Sequence, residues 1–214
     1  MSKKKFKVAY IDDDAGNVRI FKIFASEEFD VVAVSLKKKL SEIVDEVFDE
    51  KVDAVVIDYD LREGNSQIDY QGNDIFRKIN EQVNNFPSFI LTSKANKAED
   101  HTIDVNAVYD RDVMKTGETE TNSFLVRLKK QIENYHSYLN DLQEELKVLK
   151  KTKRKTLFQE ERIIDLDGMI ERSLSRGSQI PDSLKRTSDF KKLTELVDDT
   201  NKLISEIEIY GKKK

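Results

Sequence analysis

The stretch Val8–Asp14 reads VAYIDDD, in which four apolar residues run directly into three aspartates. A short apolar run without helical periodicity, stopped by polar residues, is typical of a strand buried on both faces of a parallel sheet. The change from apolar to acidic places Asp12 and Asp13 just beyond the carboxyl end of that strand. The stretch therefore predicts a buried first strand that ends at an acidic cluster.

Similar short apolar runs recur through the first half of the chain. They lie at Val31–Val34, Ala54–Ile57, Phe89–Leu91 and Ala107–Tyr109, and stretches with apolar residues three and four positions apart separate them. Strands that alternate with amphipathic helices are typical of βαβ units around a parallel sheet. We therefore predict an α/β domain at 1–120 with a five-stranded, doubly wound parallel sheet.

The sequence pattern changes after Gly117, where apolar residues begin to recur every 3.5 positions. The repeat predicts a helical region at 121–214, with a long helix at about 121–155 and further helices at about 157–176 and 182–210. These helices either fold into an intrachain bundle or pair with a second copy in a coiled coil. The seam of the long helix consists of Leu128, Ile132, Tyr135, Leu139, Leu142, Leu146 and Leu149.

The composition limits the classes of partner that the chain can bind. The 41 acidic and 37 basic residues give a net charge of −4, so no overall positive field draws the chain to nucleic acid or an anionic membrane. Cysteine is absent, which excludes disulfides and thiolate metal sites. No apolar stretch has the length of a secretory signal or a membrane span, so we predict a soluble cytoplasmic protein without membrane insertion.

One local exception is the basic run at Lys147–Lys155, which could contact the phosphates of nucleic acid or of a membrane. Runs of this kind are usually solvated helix ends, and we prefer that interpretation. The later segment Ser183–Tyr210 is acidic and heptad-like and offers no recognition helix. The sequence therefore disfavours a DNA-binding output.

Polar residues follow several of the predicted strands. In a doubly wound parallel sheet the carboxyl ends of the strands share one edge, which would bring together Asp12, Asp13, Asp58, Thr92 and Arg111. Three carboxylates at one point repel each other strongly unless a cation lies among them. A hard divalent ion with oxygen ligands is the simplest such cation, and we expect Mg²⁺.

These residues make the chain resemble the receiver domains of two-component response regulators. The matching segments are Tyr10–Asp14 after the first strand, Val56–Leu61 after the third, Gly72 at the start of the following helix, and Leu91–Ser93 after the fourth strand. The resemblance covers roughly residues 6–120 and implies the five-stranded receiver fold.

The resemblance also implies a chemical role for each acid. Asp58 would accept a phosphoryl group from a histidine kinase or a phosphotransfer protein. Asp12, Asp13, Asp58 and the backbone carbonyl of Asp60 would hold Mg²⁺, which offsets the charge on the phosphoryl oxygens. The only enzymatic activity implied is self-phosphorylation from a phosphodonor and slow self-dephosphorylation.

The remaining family positions include three departures from the family pattern. Thr92 would donate a hydrogen bond to a phosphoryl oxygen and draw its loop inward. Arg111 stands where the family has a lysine, and Lys115 is the other cation that could supply the charge. The family's switch aromatic falls at Val108, so aromatic coupling is not expected. The loop at 61–71 is longer than the family's by about six residues and could carry a partner surface or a lid.

These features predict a response-regulator-type signalling protein. Phosphorylation of Asp58 would be relayed through the helical region to a protein partner, or to a second copy of the chain in a homodimer. Two alternatives stay open. The first is a pseudo-receiver scaffold or adaptor that binds partners independently of phosphate, and the second is a phosphate sink that accepts phosphoryl groups without sending a signal.

Overall fold

The structure is a computed structural model that describes residues 5–62, 68–102, 104–115, 118–174 and Thr200. Its strands are β1 (Phe6–Ile11), β2 (Phe29–Ala33), β3 (Ala54–Ile57), β4 (Ser88–Thr92) and β5 (Val108–Asp110). They form one sheet in the order β2-β1-β3-β4-β5, in which every neighbouring pair is parallel. This order is one of the two common doubly wound arrangements, and the predicted fold class is confirmed.

Helices separate the strands and continue beyond the sheet. They are α1 (Ala15–Ala25), α2 (Leu40–Asp49), α3 (Gly72–Gln82), α4 (Ala95–Glu99), α5 (Glu118–Lys151) and α6 (Leu157–Leu174), with short 3₁₀ turns at Val105–Ala107 and Arg111–Met114. The helix between β4 and β5, α4, has only five residues, and the sequence did not indicate where in that stretch it lies. Only Ala98 is buried among its five residues, so the segment lacks the periodic apolar face that reveals a helix in a sequence.

Alternate residues of the interior strand β1 pack on opposite faces of the sheet, as the period of two requires. Ala9 and Ile11 join the core cluster that α2 and α3 cover. Val8 and Tyr10 join the cluster on the other face, which α1 and the first half of α5 cover. The strand is therefore buried from both sides, which is why its sequence is almost entirely apolar.

The loop predicted at 61–71 contains neither helix nor strand where it is described, at residues 61–62 and 68–71. Both described parts are nevertheless anchored, because Leu61, Ile68 and Tyr70 are buried in the core. The hydroxyl of Tyr70 donates a hydrogen bond of 2.5 Å to the carbonyl oxygen of Lys37.

The chain divides into two compact units, Met1–Asn140 and Asp141–Lys214, so the boundary lies inside α5. Within the first unit, α5 supplies buried residues to the core of the sheet. Leu128 and Ile132 are fully buried in the cluster on the α1 face, and the ring of Tyr135 lies 5.7 Å from that of Phe86. These three members of the predicted heptad seam pack against their own chain rather than against another helix of a coiled coil.

The second unit contains the rest of α5 together with α6. Arg162 forms an ion pair of 2.7 Å with Glu145, and Leu142, Leu166 and Ile170 are buried. The helix predicted at about 182–210 lies outside the described residues, apart from Thr200, which is helical. Among the helices that the structure describes, none has the length and apolar character needed to cross a bilayer.

Candidate functional site

Three carboxylates meet at the carboxyl edge of the sheet. The register pairs Ile11 of β1 with Ile57 of β3, so the residues that follow them, Asp12 and Asp58, emerge side by side. Asp13 completes the group, and one carboxylate oxygen from each of the three residues lies within 4.8 Å of the other two. Asp12 and Asp58 are 8% and 5% exposed, which makes their mutual repulsion costly without a compensating cation.

Hydrogen bonds hold the Asp12 carboxylate in a single orientation. The Tyr10 hydroxyl donates to Oδ2 at 2.8 Å, while the Asp14 backbone nitrogen and Nδ2 of Asn17 donate to Oδ1 at 2.9 Å and 3.2 Å. The Tyr10 ring stacks on Phe21 at 4.1 Å between centroids. Burial and the adjacent Asp12 charge raise the pKa of Tyr10, so its hydroxyl remains a hydrogen-bond donor.

Arg111, which follows β5, supplies a positive charge to the cluster. Its Nη2 lies 2.6 Å from Oδ1 of Asp58 and 3.2 Å from Oδ2 of Asp12. Lys115, the other cation considered from the sequence, instead pairs with Asp112 at 2.8 Å and is exposed. Of these two cations, Arg111 is therefore the one that faces the acids.

The electrostatics of Asp58 reflect two opposing influences. Burial raises the pKa of the carboxyl group, while the charge of Arg111 and a hydrogen bond from Thr92 lower it, and burial prevails. The short contact with Arg111 is an ion pair without hydrogen-bond alignment. Within the described part of the chain, Oδ1 of Asp58 has no aligned hydrogen-bond donor and Nε of Arg111 has no acceptor.

The donor set fits a hard divalent cation. The oxygens of Asp12, Asp13 and Asp58 are close enough to bind one ion, and Oδ1 of Asp58 retains acceptor capacity that no aligned donor in the described residues uses. Oxygen ligands from one or two carboxylates are typical of Mg²⁺ sites in proteins. The cluster could therefore hold a metal ion, whose charge would offset the cost of burying the Asp58 carboxylate.

A second ion pair lies beside the cluster, on the loop after β3. Nζ of Lys94 lies 2.6 Å from Oδ2 of Asp60, and the hydrogen bond from Lys94 lowers the pKa of Asp60. The Lys94 backbone nitrogen also donates to Oγ1 of Thr92 at 3.3 Å, and Thr92 is 1% exposed. Lys94 thus connects the end of β4 to the carboxylate of Asp60.

Gly72, at the start of α3, is required by close packing against the backbone of the site. A Cβ atom added there would lie 1.9 Å from the carbonyl oxygen of Asp58 and 2.9 Å from Cα of Tyr59. The Gly72 backbone nitrogen donates to the Tyr59 carbonyl at 2.9 Å. The close approach fixes the backbone that presents Asp58.

The structure brings together the predicted carboxylates of Asp12, Asp13 and Asp58 and adds residues that the sequence argument missed. Tyr10 and Asn17 orient Asp12, and Lys94 pairs with Asp60. The role of Tyr10 could have been predicted, because the hydroxyl of a buried tyrosine needs a hydrogen-bond partner. The roles of Asn17 and Lys94 depend on how helices and loops approach the edge of the sheet, which the periodicity of the sequence does not reveal.

Comparisons with known proteins show that this chain is similar to several solved structures. No family profile and no curated protein matches this sequence. The chain is similar to the beryllofluoride-activated receiver domain of DrrB, with 21% identity, 61% of this chain and 99% of that chain covered, and a TM-score of 0.41. It is also similar to the RcsB response regulator of Salmonella typhimurium, with 15% identity, 90% and 93% covered, and a TM-score of 0.45.

Proposed function

We propose that the chain is a response-regulator-type signalling protein that accepts a phosphoryl group on Asp58. One observation carries the proposal: the carboxylates of Asp12, Asp13 and Asp58 gather within 4.8 Å at the sheet edge, beside Arg111 and Thr92. The donor would be a histidine kinase or a phosphotransfer protein, as the resemblance to receiver domains implies, and small phosphodonors in solution could replace it.

The reaction is a displacement at phosphorus by a carboxylate. An oxygen of Asp58 forms the new P–O bond, while the bond from phosphorus to the donor's histidine nitrogen, or to the acyl oxygen of a small donor, breaks. Arg111 favours the ionised form of Asp58 that the attack needs. Asp12, Asp13, Asp58 and the backbone carbonyl of Asp60 would hold Mg²⁺, which supplies charge neutralisation at the phosphoryl oxygens.

Two further side chains would stabilise the transferred group. Arg111 remains charged at any pH at which the protein folds, and its guanidinium can bind two phosphoryl oxygens at once. The Thr92 hydroxyl, which lowers the pKa of Asp58 in the unphosphorylated state, would donate a hydrogen bond to a phosphoryl oxygen. Arg111 would exchange its contact with the carboxylate for a contact with the product.

The structural change that follows phosphorylation of Asp58 would be transmitted through β5 to α5. Arg111 contacts Asp58, and Tyr109, two residues earlier, packs on Phe124 of α5 with 4.9 Å between ring centroids. A change in the contacts of Arg111 would therefore reach the first turns of α5 through a short rigid connection. Because α5 continues past Asn140 into the second unit, the same helix would pass the change to a protein partner of that unit.

Intact mass after incubation with acetyl phosphate and Mg²⁺ tests the acceptor. We expect a labile adduct of about 80 Da, one phosphoryl group, that is lost in Asp58→Asn. Asp14→Asn is the matched control, since Asp14 caps α1 through Gly16 and lies outside the cluster. Asparagine caps helices as well as aspartate, so this variant should keep the adduct. An adduct that survives in Asp58→Asn would disprove the assignment.

A phosphate-independent scaffold is the second candidate, and one observation favours it. Arg111 already offsets the charges of Asp58 and Asp12 in the absence of phosphate, so the domain can be stable without either metal or phosphorylation. No adduct under any condition would support this alternative. A phosphate sink would give the adduct, but beryllofluoride with Mg²⁺ would leave amide exchange of α5 and the oligomeric state unchanged.

A further inference from the structure

The segment that joins α5 to α6 combines positive charge with exposed apolar side chains. Residues 147–158, called the link surface below, contain no acidic residue. Their cations are Lys147, Lys150, Lys151, Lys153, Arg154 and Lys155. The whole chain carries a net charge of −4, so the link surface is a positively charged region of a protein whose net charge is negative.

Most of these cations form no ion pair with the residues that the structure describes. Lys147 pairs with Glu144 at 2.6 Å, and Lys150 pairs with Asp167 at 3.1 Å. Within the described residues, no carboxylate lies at ion-pair distance from Lys151, Lys153 or Arg154, and all three are exposed. Their positive charge is therefore available to an anionic partner.

Large apolar side chains lie among the cations. Leu157 is 80% exposed and Phe158 is 77% exposed, although they open a helix whose later residues Leu166 and Ile170 are buried. Val148, near the end of α5, is 66% exposed. Single exposed apolar residues are common, but adjacent ones surrounded by charge indicate an interaction site.

We propose that the link surface binds the surface of an anionic lipid bilayer. Lysine and arginine side chains are attracted to anionic headgroups, and neighbouring leucine and phenylalanine side chains enter the boundary between headgroups and acyl chains. Nucleic acid would use the cations for its phosphates and aromatic rings for base stacking. It would offer nothing to Leu157, so the combination of side chains fits lipid better. Binding of this kind is peripheral, requires no spanning helix and does not depend on phosphorylation of Asp58.

Co-sedimentation of the full chain with vesicles tests the proposal. We expect binding to phosphatidylcholine vesicles that contain about 30% phosphatidylserine, no binding to pure phosphatidylcholine, and weaker binding as salt is raised. The double variant Leu157→Ser/Phe158→Ser should lose about tenfold or more in affinity, because its apolar contribution is removed. The matched control is Ile20→Ser/Ile23→Ser, which removes two exposed apolar residues from α1 and should bind as the unmodified chain does.

A spectroscopic probe follows the insertion directly. The chain contains no tryptophan, so Phe158→Trp places a single reporter on the link surface. Its emission should shift to shorter wavelength with anionic vesicles and stay unchanged with neutral ones. The proposal is overturned if anionic vesicles do not bind, or if Leu157→Ser/Phe158→Ser binds them unchanged. Binding of duplex DNA, unaffected by that double variant and without vesicle binding, would assign the surface to nucleic acid instead.

Discussion

Nη2 of Arg111 lies 2.6 Å from Oδ1 of Asp58, and the same nitrogen lies 3.2 Å from Oδ2 of Asp12. One guanidinium group thus offsets two buried carboxylates that follow different strands. The relationship explains how the acidic cluster can exist before any metal ion or phosphoryl group arrives. Arg111 and a divalent cation would therefore both offset the negative charges of Asp58 and Asp12.

Removing the guanidinium should destabilise the metal-free protein. In Arg111→Ala the buried Asp58 and Asp12 charges lose their partner, and we expect a loss of about 3 kcal/mol in the free energy of unfolding. Mg²⁺ should restore part of this loss by binding the folded state. Urea unfolding in EDTA and in Mg²⁺ measures both effects. Lys115→Ala, at an exposed ion pair, is the control and should change little; equal stability of Arg111→Ala and the unmodified chain in EDTA would contradict the expectation.

Adding one methyl group at Gly72 should disturb the site. The new Cβ would overlap the Asp58 carbonyl oxygen at 1.9 Å, and backbone atoms cannot move aside as side-chain ends can. We expect Gly72→Ala to lose about 2 kcal/mol or more in the free energy of unfolding, together with the acetyl phosphate adduct. Gly16→Ala is the matched control, because its Cβ would meet only the Asp14 side chain, at 2.9 Å. Similar losses in the two variants would refute the packing argument.

The Lys94–Asp60 ion pair should make stability depend on pH. The hydrogen bond from Lys94 lowers the pKa of Asp60 in the folded state, so the pair contributes stability above the unfolded-state pKa of Asp60. That contribution is lost as pH falls through the folded-state pKa. Lys94→Ala should therefore lose up to about 1 kcal/mol through this pair near neutral pH, a modest amount because Lys94 is 37% exposed, and less in acid.

Urea unfolding at a series of pH values measures this difference. An Asp60→Asn background serves as the control, since the pH-dependent part of the Lys94→Ala effect should disappear once the carboxylate of residue 60 is replaced by a neutral amide. A constant destabilisation by Lys94→Ala from neutral to acidic pH would show that the lysine acts through packing rather than through the carboxylate.

A truncation should reveal how far the sheet unit extends. A fragment of residues 1–140 keeps Phe124, Leu128 and Ile132, which fill the core on the α1 face, and should unfold cooperatively in urea. A fragment of residues 1–120 lacks them and should not, since loss of even one buried phenylalanine costs about 3 kcal/mol or more. Circular dichroism compares the two fragments. A cooperative transition of the shorter fragment, at the same urea concentration as the longer one, would rule this out.

The sequence by itself determined the sheet and the meeting point of the acids. Each buried strand reads as a short apolar run, because both of its faces are covered, and the polar residue after each run marks its carboxyl end. Parallel strands place those ends on one edge of the sheet, so the sequence alone predicts that Asp12, Asp13 and Asp58 lie close together. The short helix α4 could not be located in the sequence, because a single buried alanine makes no periodic pattern.

Only the tertiary structure decided which cation faces the acids and where the sheet unit ends. Arg111 and Lys115 are both cations that follow β5 in the sequence, and the path of the chain after β5 turns the first toward Asp58 and the second toward Asp112. Likewise, Leu128 and Ile132 repeat at heptad spacing whether they face a partner helix or a sheet. The physical reason is that periodicity reports which face of a helix is buried, whereas the identity of the covering surface depends on contacts distant in sequence.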